Sequence, residues 1–157
     1  MMAVTEAAID LGLLLAKGYQ EFVRELRSAL TEQGFDDLGR SDGFVFRTLG
    51  DGALTVSELA VRLEISKQGA GQIVDDMASR GYVRRRPDPA DGRARPVELA
   101  ERGRRALAAA SAFHRGYEGR LVERHGEPAL AALRAVLGGM SGGGAEPPDY
   151  QLRALYL

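Results

Sequence analysis

Residues 54–81 read LTVSELAVRLEISKQGAGQIVDDMASRG, and this stretch decides the fold. Thr55 and Glu58 have capping-box spacing, in which each side chain satisfies a backbone N–H orphaned at the start of a helix. Leu59, Ala60 and Leu63 follow on one face. Glu64-Ile65 make a tight break. Ser66 then caps a second helix, with Ala70, Ile73, Val74 and Met77 on its inner face, and Gly81 stops it. Two short helices joined by a turn of a few residues predict a helix-turn-helix, its second helix spanning about 66–80.

The chain changes character immediately afterwards. Tyr82-Val83-Arg84-Arg85-Arg86 reads as a short strand, and Pro87 to Gly92 is dense turn chemistry ending in Asp-Gly, a strong hairpin signal. Arg93 to Leu99 returns as a second strand. Pro87 and Pro96 fit only edge or end positions, because proline cannot donate to a ladder. A small arginine-bearing hairpin over about 82–99 therefore follows the helix-turn-helix.

Upstream, residues 5–33 read as one long helix. Leu11, Leu14, Leu15, Tyr19, Phe22, Val23 and Leu26 recur at spacings of mostly three and four, and Gly34 ends the run. The segment 11–15 is apolar nearly all round, which predicts burial by more than its own small domain. Ser41 or Asp42 caps a second helix through Leu49, and Gly50 and Gly52 break it. Downstream, a long helix runs from Glu101 to about Arg124. Pro128 opens another, carrying Leu130, Leu133, Val136 and Leu137. Gly138 to Pro148 reads as a flexible linker, and the tail Tyr150–Leu157 is apolar.

Composition bounds the rest. A chain of 157 residues with 45% hydrophobic side chains predicts one folded domain and an appendage. The absence of cysteine excludes disulfides, a CxxC zinc site and a thiol redox sensor. The net charge of −1 hides an uneven distribution. Residues 1–53 hold five basic groups against nine acidic ones, whereas residues 80–105 hold nine arginines against four carboxylates. No spanning segment or export leader is legible, so a cytoplasmic protein with no membrane role is expected. His114 and His125 lie eleven positions apart on a helix, roughly 16 Å at 1.5 Å per residue, too far to share a metal. Ser66 and Ser111 lack a neighbouring His/Asp arrangement, and the glycines at 138–144 lack a following GK[ST]. No enzyme, cofactor or metal site is expected.

The order of elements, with Leu54-Thr55-Val56-Ser57-Glu58-Leu59-Ala60, Ile65-Ser66-Lys67-Gln68, Val74-Asp75, Arg80-Gly81-Tyr82-Val83, Pro87 to Arg95 and Leu99-Ala100-Glu101-Arg102-Gly103, resembles the MarR family of winged helix-turn-helix transcriptional regulators. The resemblance covers residues 5–137 by organisation and 54–103 by specific residues. The expected fold is mainly α with a small β-hairpin wing. Its winged helix-turn-helix domain (37–100) is flanked by an N-terminal dimerisation helix (1–36) and C-terminal dimerisation helices (101–137), then a linker and tail (138–157). The resemblance implies a homodimer on a pseudo-palindromic operator of double-stranded DNA, a repressor released by a small aromatic or phenolic effector. The aromatics Tyr19, Phe44, Phe46, Phe113 and Tyr117 are read as core, and no ligand-binding residue is assigned.

A capped second helix points its N-terminus at the major groove, which makes Ser66, Lys67, Gln68, Gly71 and Gln72 the DNA-facing set. Arg84, Arg85 and Arg86 alternate faces, and Arg84 and Arg86 are taken as DNA-facing, with Arg95 beside them. The resemblance puts Arg93 at the wing tip, in the minor groove, supported by Asp91. Dimerisation is expected through Leu11, Leu15, Leu130, Leu133, Leu137 and Leu155. The sequence departs from the family at Ala100, where a threonine cap is common, and at Gly92, where a second arginine is common. Gly69 and Gly71 weaken the recognition helix, and Asp75 and Asp76 sit on or near its outer face. These glycines and carboxylates motivate an alternative: a winged-helix protein-interaction module with weak or lost DNA binding.

Overall fold

The structure, a computed structural model, describes residues 10–87 and 95–140. The chain divides into two units, one ending at Asp36 and one beginning at Asp37. The first contains α1 (Leu11–Glu32). The described helix begins at Leu11, where Asp10 is extended and its carboxylate accepts from the Leu13 N–H at 2.9 Å; residues 5–9 of the expected helix lie outside the described residues. Asp10 thus takes up an orphan donor and fixes the boundary. At the other end Gly34 has φ +87, Gly34 N–H donates to Thr31 and Phe35 N–H to Leu30. This is a Schellman closure, which needs a residue that tolerates left-handed backbone. Leu11, Leu13, Leu14 and Tyr19 are exposed on α1, and Leu15 is half-buried.

The second unit is built from α2 (Asp42–Gly50), α3 (Val56–Leu63), α4 (Lys67–Ser79), β1 (Val83–Arg85), β2 (Val97–Leu99), α5 (Glu101–His125) and α6 (Glu127–Met140). The capping box at Thr55 and Glu58 forms as the spacing requires. Glu64 closes α3 in the left-handed region at φ 53, and three residues separate α3 from α4. The core of this unit joins Val45, Phe46 and Leu49 of α2, Leu59 and Leu63 of α3, and Ala70, Val74 and Met77 of α4. Tyr82, Val83, Val97 and Leu99 close it from the hairpin, and Ala106 from α5. Ile73, expected on the inner face, is half-buried.

β1 and β2 pair antiparallel, with Val83 opposite Leu99, Arg84 opposite Glu98 and Arg85 opposite Val97. Arg86 N–H extends the ladder by one bond to the Pro96 carbonyl at 2.7 Å, so Pro96 stands at the strand end, where its missing donor costs nothing. The second strand is shorter than expected, because Arg95 and Pro96 lie outside it; the turn around Asp91-Gly92 lies outside the described residues. The other edge of β2 is also occupied. Leu54 and Val97 exchange both backbone bonds, at 3.0 and 2.7 Å. The residue that leads into the helix-turn-helix is thereby stitched to the hairpin.

α6 runs through Gly138 and Gly139 to Met140, taking in the first three residues of the expected linker. Leu133, Val136, Leu137 and Met140 are exposed on it, and Leu130 is half-buried. Among the described residues, no helix is long and apolar enough to cross a membrane.

One close approach sets how α5 leaves the hairpin. The Tyr82 carbonyl accepts from Ala100 N–H at 2.9 Å, and a Cβ on Gly103 would lie 2.1 Å from that oxygen. Ala100 provides no side-chain cap, and only its own N–H is taken up by the Tyr82 carbonyl. Gly103→Ala should therefore destabilise the protein by about 1–3 kcal/mol, the range for overpacking. Urea denaturation would measure this, and an unchanged midpoint would contradict the contact.

Candidate nucleic-acid interface

The first turn of α4 is set by Ser66, whose hydroxyl accepts from Gly69 N–H at 3.0 Å. A Cβ on Gly69 would crowd that hydroxyl at 3.1 Å, whereas one on Gly71 would have nothing within 4 Å. Lys67, Gln68 and Gln72 are exposed. Lys67, Gln68 and Gly71 line a concave surface of about 740 Å³, completed by Thr55, Val56 and Ser57 at the start of α3 and by Arg85 and Arg95 of the hairpin. Three cations and the N-termini of two helices thus converge on one hollow, a geometry that favours a polyanion.

The carboxylates that would oppose such a ligand are engaged. Glu58 accepts from the Thr55 N–H at 2.8 Å and from its hydroxyl at 2.9 Å, and these bonds lower its pKa. Asp75 pairs with Arg85 at 2.7 Å, and Asp76 accepts from Arg80 Nε at 3.1 Å. Glu98 pairs with Arg84 at 2.7 Å. The period-two pleat explains the split: Arg85 shares the Val83 face and reaches α4, while Arg84 points the other way and meets its cross-strand partner Glu98.

Of the predicted contacts, Lys67, Gln68, Gly71 and Arg95 share the hollow, Ser66 caps its helix, and Gln72 lies exposed farther along α4. Arg84 is held by Glu98, and Arg86 is exposed beside Pro87. Arg93, Asp91 and Leu155 lie outside the described residues. Sequence reasoning missed Arg85 and Thr55-Val56-Ser57. Counting strand parity from buried Val83 would have singled out Arg85, whereas the place of Thr55 depends on how α3 crosses α4. His114, considered for a metal, is instead bonded through Nε2 to Arg47 of α2 at 2.8 Å, and burial followed by that cation lowers its pKa.

Behind the hollow, the far end of α4 is tied down by a polar cluster. Arg80 forks onto buried Asp42 at 2.7 and 3.2 Å and donates to the Asp37 carbonyl at 2.8 Å. Asp42 also accepts from Gly39 N–H at 2.8 Å. The buried Tyr82 hydroxyl donates to the Asp37 carboxylate, which Arg102 contacts at 3.2 Å through both oxygens. Arg102 also donates to the Arg80 carbonyl at 2.6 Å and stacks 4.3 Å over the Tyr82 ring. The hydrogen bond from Tyr82, and then Arg102, hold Asp37 below the ordinary carboxylate value. Burial, and then Asp37, push the Tyr82 phenol up.

A two-stranded antiparallel hairpin directly after a helix-turn-helix, with cations beside the second helix, defines a winged helix-turn-helix protein. A model of the MarR family matches residues 36–94. Among solved structures, the YusO protein from Bacillus subtilis superposes with a TM-score of 0.65 at 20% identity, covering 86% of this chain and 94% of that one. A mutant MarR from E. coli complexed with operator DNA gives 0.62 at 22% identity, covering 83% and 92%. A MepR mutant from S. aureus bound to an oligodeoxyribonucleotide gives 0.61 at 18% identity, covering 84% and 96%. No curated protein sequence matches significantly. The family model thus covers the helix-turn-helix and the first strand of the hairpin, and the solved structures share the winged-helix fold over most of the chain.

The Asp37 cluster carries a pH signature. A carboxylate whose folded pKa is depressed adds stability above its ordinary value of 3.8 and loses it as the pH falls through the lower, folded value. Asp37→Asn should cost about 1 kcal/mol at neutral pH, the low end for a charged hydrogen bond because the carboxylate is partly exposed. The gap between urea melts of the two proteins should begin to narrow as the pH falls past 3.8 and close only below the lower, folded value; a gap that does not narrow in acid would contradict the assignment.

Proposed function

We propose that the protein is a dimeric, cytoplasmic, sequence-specific DNA-binding transcriptional regulator, a repressor released by a small aromatic or phenolic effector. The observation that carries the reading is the hollow at the N-terminal half of α4, where Lys67, Arg85 and Arg95 flank Gln68 and Gly71. Gln68 and Gln72 offer the amide geometry that pairs with adenine edges, and Lys67 reaches guanine or phosphate. Arg86 and Arg95 serve phosphates, while Arg93, supported by Asp91, takes the minor groove. The DNA in the MarR and MepR mutant complexes supports the same partner here.

Dimerisation uses the apolar side chains that α1 and α6 leave exposed or half-buried, among them Leu11, Leu15, Leu130, Leu133 and Leu137, together with Leu155. A two-fold dimer reads two inverted half-sites, hence a pseudo-palindromic operator. The protein-interaction alternative was motivated in part by Asp75 and Asp76. Both are paired with arginines, which leaves it without the charge that argued for it.

Selection of bound DNA from a random pool should return inverted half-sites. Affinity for the selected site should then fall log-linearly with salt, as counterion release requires. Absence of any shift at low salt would overturn the reading. Gly71 supplies a second test. Alanine there has open space and should stabilise the free protein by about 0.5–1 kcal/mol through helix propensity. If the gap admits DNA, Gly71→Ala should nonetheless lower operator affinity about tenfold, and unchanged affinity would make Gly71 a mere helix weakness.

A further inference from the structure

We infer that Arg102 of α5 is a positioning residue for DNA reading: it anchors the C-terminal end of the recognition helix so that the N-terminal half meets the bases at a fixed angle. The inference rests on the DNA-binding reading above and extends it to a side chain outside the hollow.

Three observations carry it. First, α4 is weak where it reads and held where it ends. Gly69 and Gly71 stand in its first half, whereas Met77 and Val74 are fully buried in its second. Second, α4 has no basic residue in its last turn, where the helix dipole calls for a cation, and its cap residue Arg80 turns its own guanidinium onto the carboxylates of Asp42 and Asp76. Arg102 brings one from another element and donates to the carbonyl of the cap residue Arg80 at 2.6 Å. Third, Arg102 cannot swing freely. Its guanidinium is also bonded to Asp37 at 3.2 Å and stacked over Tyr82 at 4.3 Å. A planar fork held on two sides fixes the atom it bonds on the third. Gly103, one residue on, keeps α5 against the Tyr82 carbonyl, so Arg102 reaches from a backbone that is itself in close contact.

Arg102→Met keeps the aliphatic body against Tyr82 and removes every donor. Arg102→Lys keeps a cation and one bond to the Arg80 carbonyl. With the full chain and an operator selected from a random pool, affinity is measured per active molecule at several salt concentrations, beside a thermal melt. Arg102→Met should bind roughly tenfold more weakly, the loss expected for one charge-assisted hydrogen bond. Its discrimination against single-base changes should fall, its salt slope should stay that of the wild type, and Arg102→Lys should recover part of the loss. A lowered melting temperature with unchanged affinity and discrimination per active molecule would overturn the inference, because Arg102 would then act on stability alone. A salt slope reduced by about one would also overturn it, as the mark of a direct phosphate contact. If the wild-type chain binds no DNA at any salt, the DNA-binding reading fails and this inference fails with it; if the wild type binds and Arg102→Met binds equally, only this inference fails.

Discussion

The Arg80 guanidinium is the tie on which the arrangement of the second unit depends. It bonds the Asp76 carboxylate of α4 and reaches across to Asp42, a carboxylate with almost no access to water. A buried carboxylate without a partner costs several kcal/mol, so Asp42 is tolerable only because Arg80 forks onto it and Gly39 N–H completes it. The pair therefore requires that the end of α4 and the start of α2 stay together. Tyr82, Asp37 and Arg102 extend the same logic to the hairpin and to α5, each polar atom answered by another. Among the described residues, no buried side-chain nitrogen or oxygen lacks a partner.

That tie separates structural from functional charge. The middle of the chain is rich in arginine, yet Arg80, Arg84, Arg85 and Arg102 each hold a carboxylate. Arg85 does this while still lining the hollow, so its charge is oriented by Asp75 and remains beside Lys67 and Arg95. A net charge of −1 for the whole chain is thus compatible with a locally cationic surface, because the acidic excess lies in the first third of the sequence.

Local grammar was legible before any coordinates. The capping box at Thr55, the cap at Ser66 and the stop at Gly81 depend on neighbours within four residues, and each forms as its spacing requires. The buried positions Leu59, Leu63, Ala70, Val74 and Met77 follow from helical period in the same way. What the sequence did not disclose is tertiary. Nothing near Leu54 shows that it will bridge to Val97, and nothing near Asp75 shows that its partner stands ten residues on. Asp42 reads as a helix cap from its neighbours and is instead a buried anion, because Arg80 arrives from 38 positions away. Asp10 shows the opposite failure: a local cap overlooked because the apolar pattern around it ran through without a break.

The central claim is that DNA lies on the face formed by the starts of α3 and α4 and by the hairpin. Amide hydrogen exchange with and without bound operator tests it most directly. The account predicts slowed exchange at residues 55–57, 67–72, 84–86 and 95, with little change on the exposed face of α6. Protection confined to α5 and α6, or spread evenly over the chain, would contradict it.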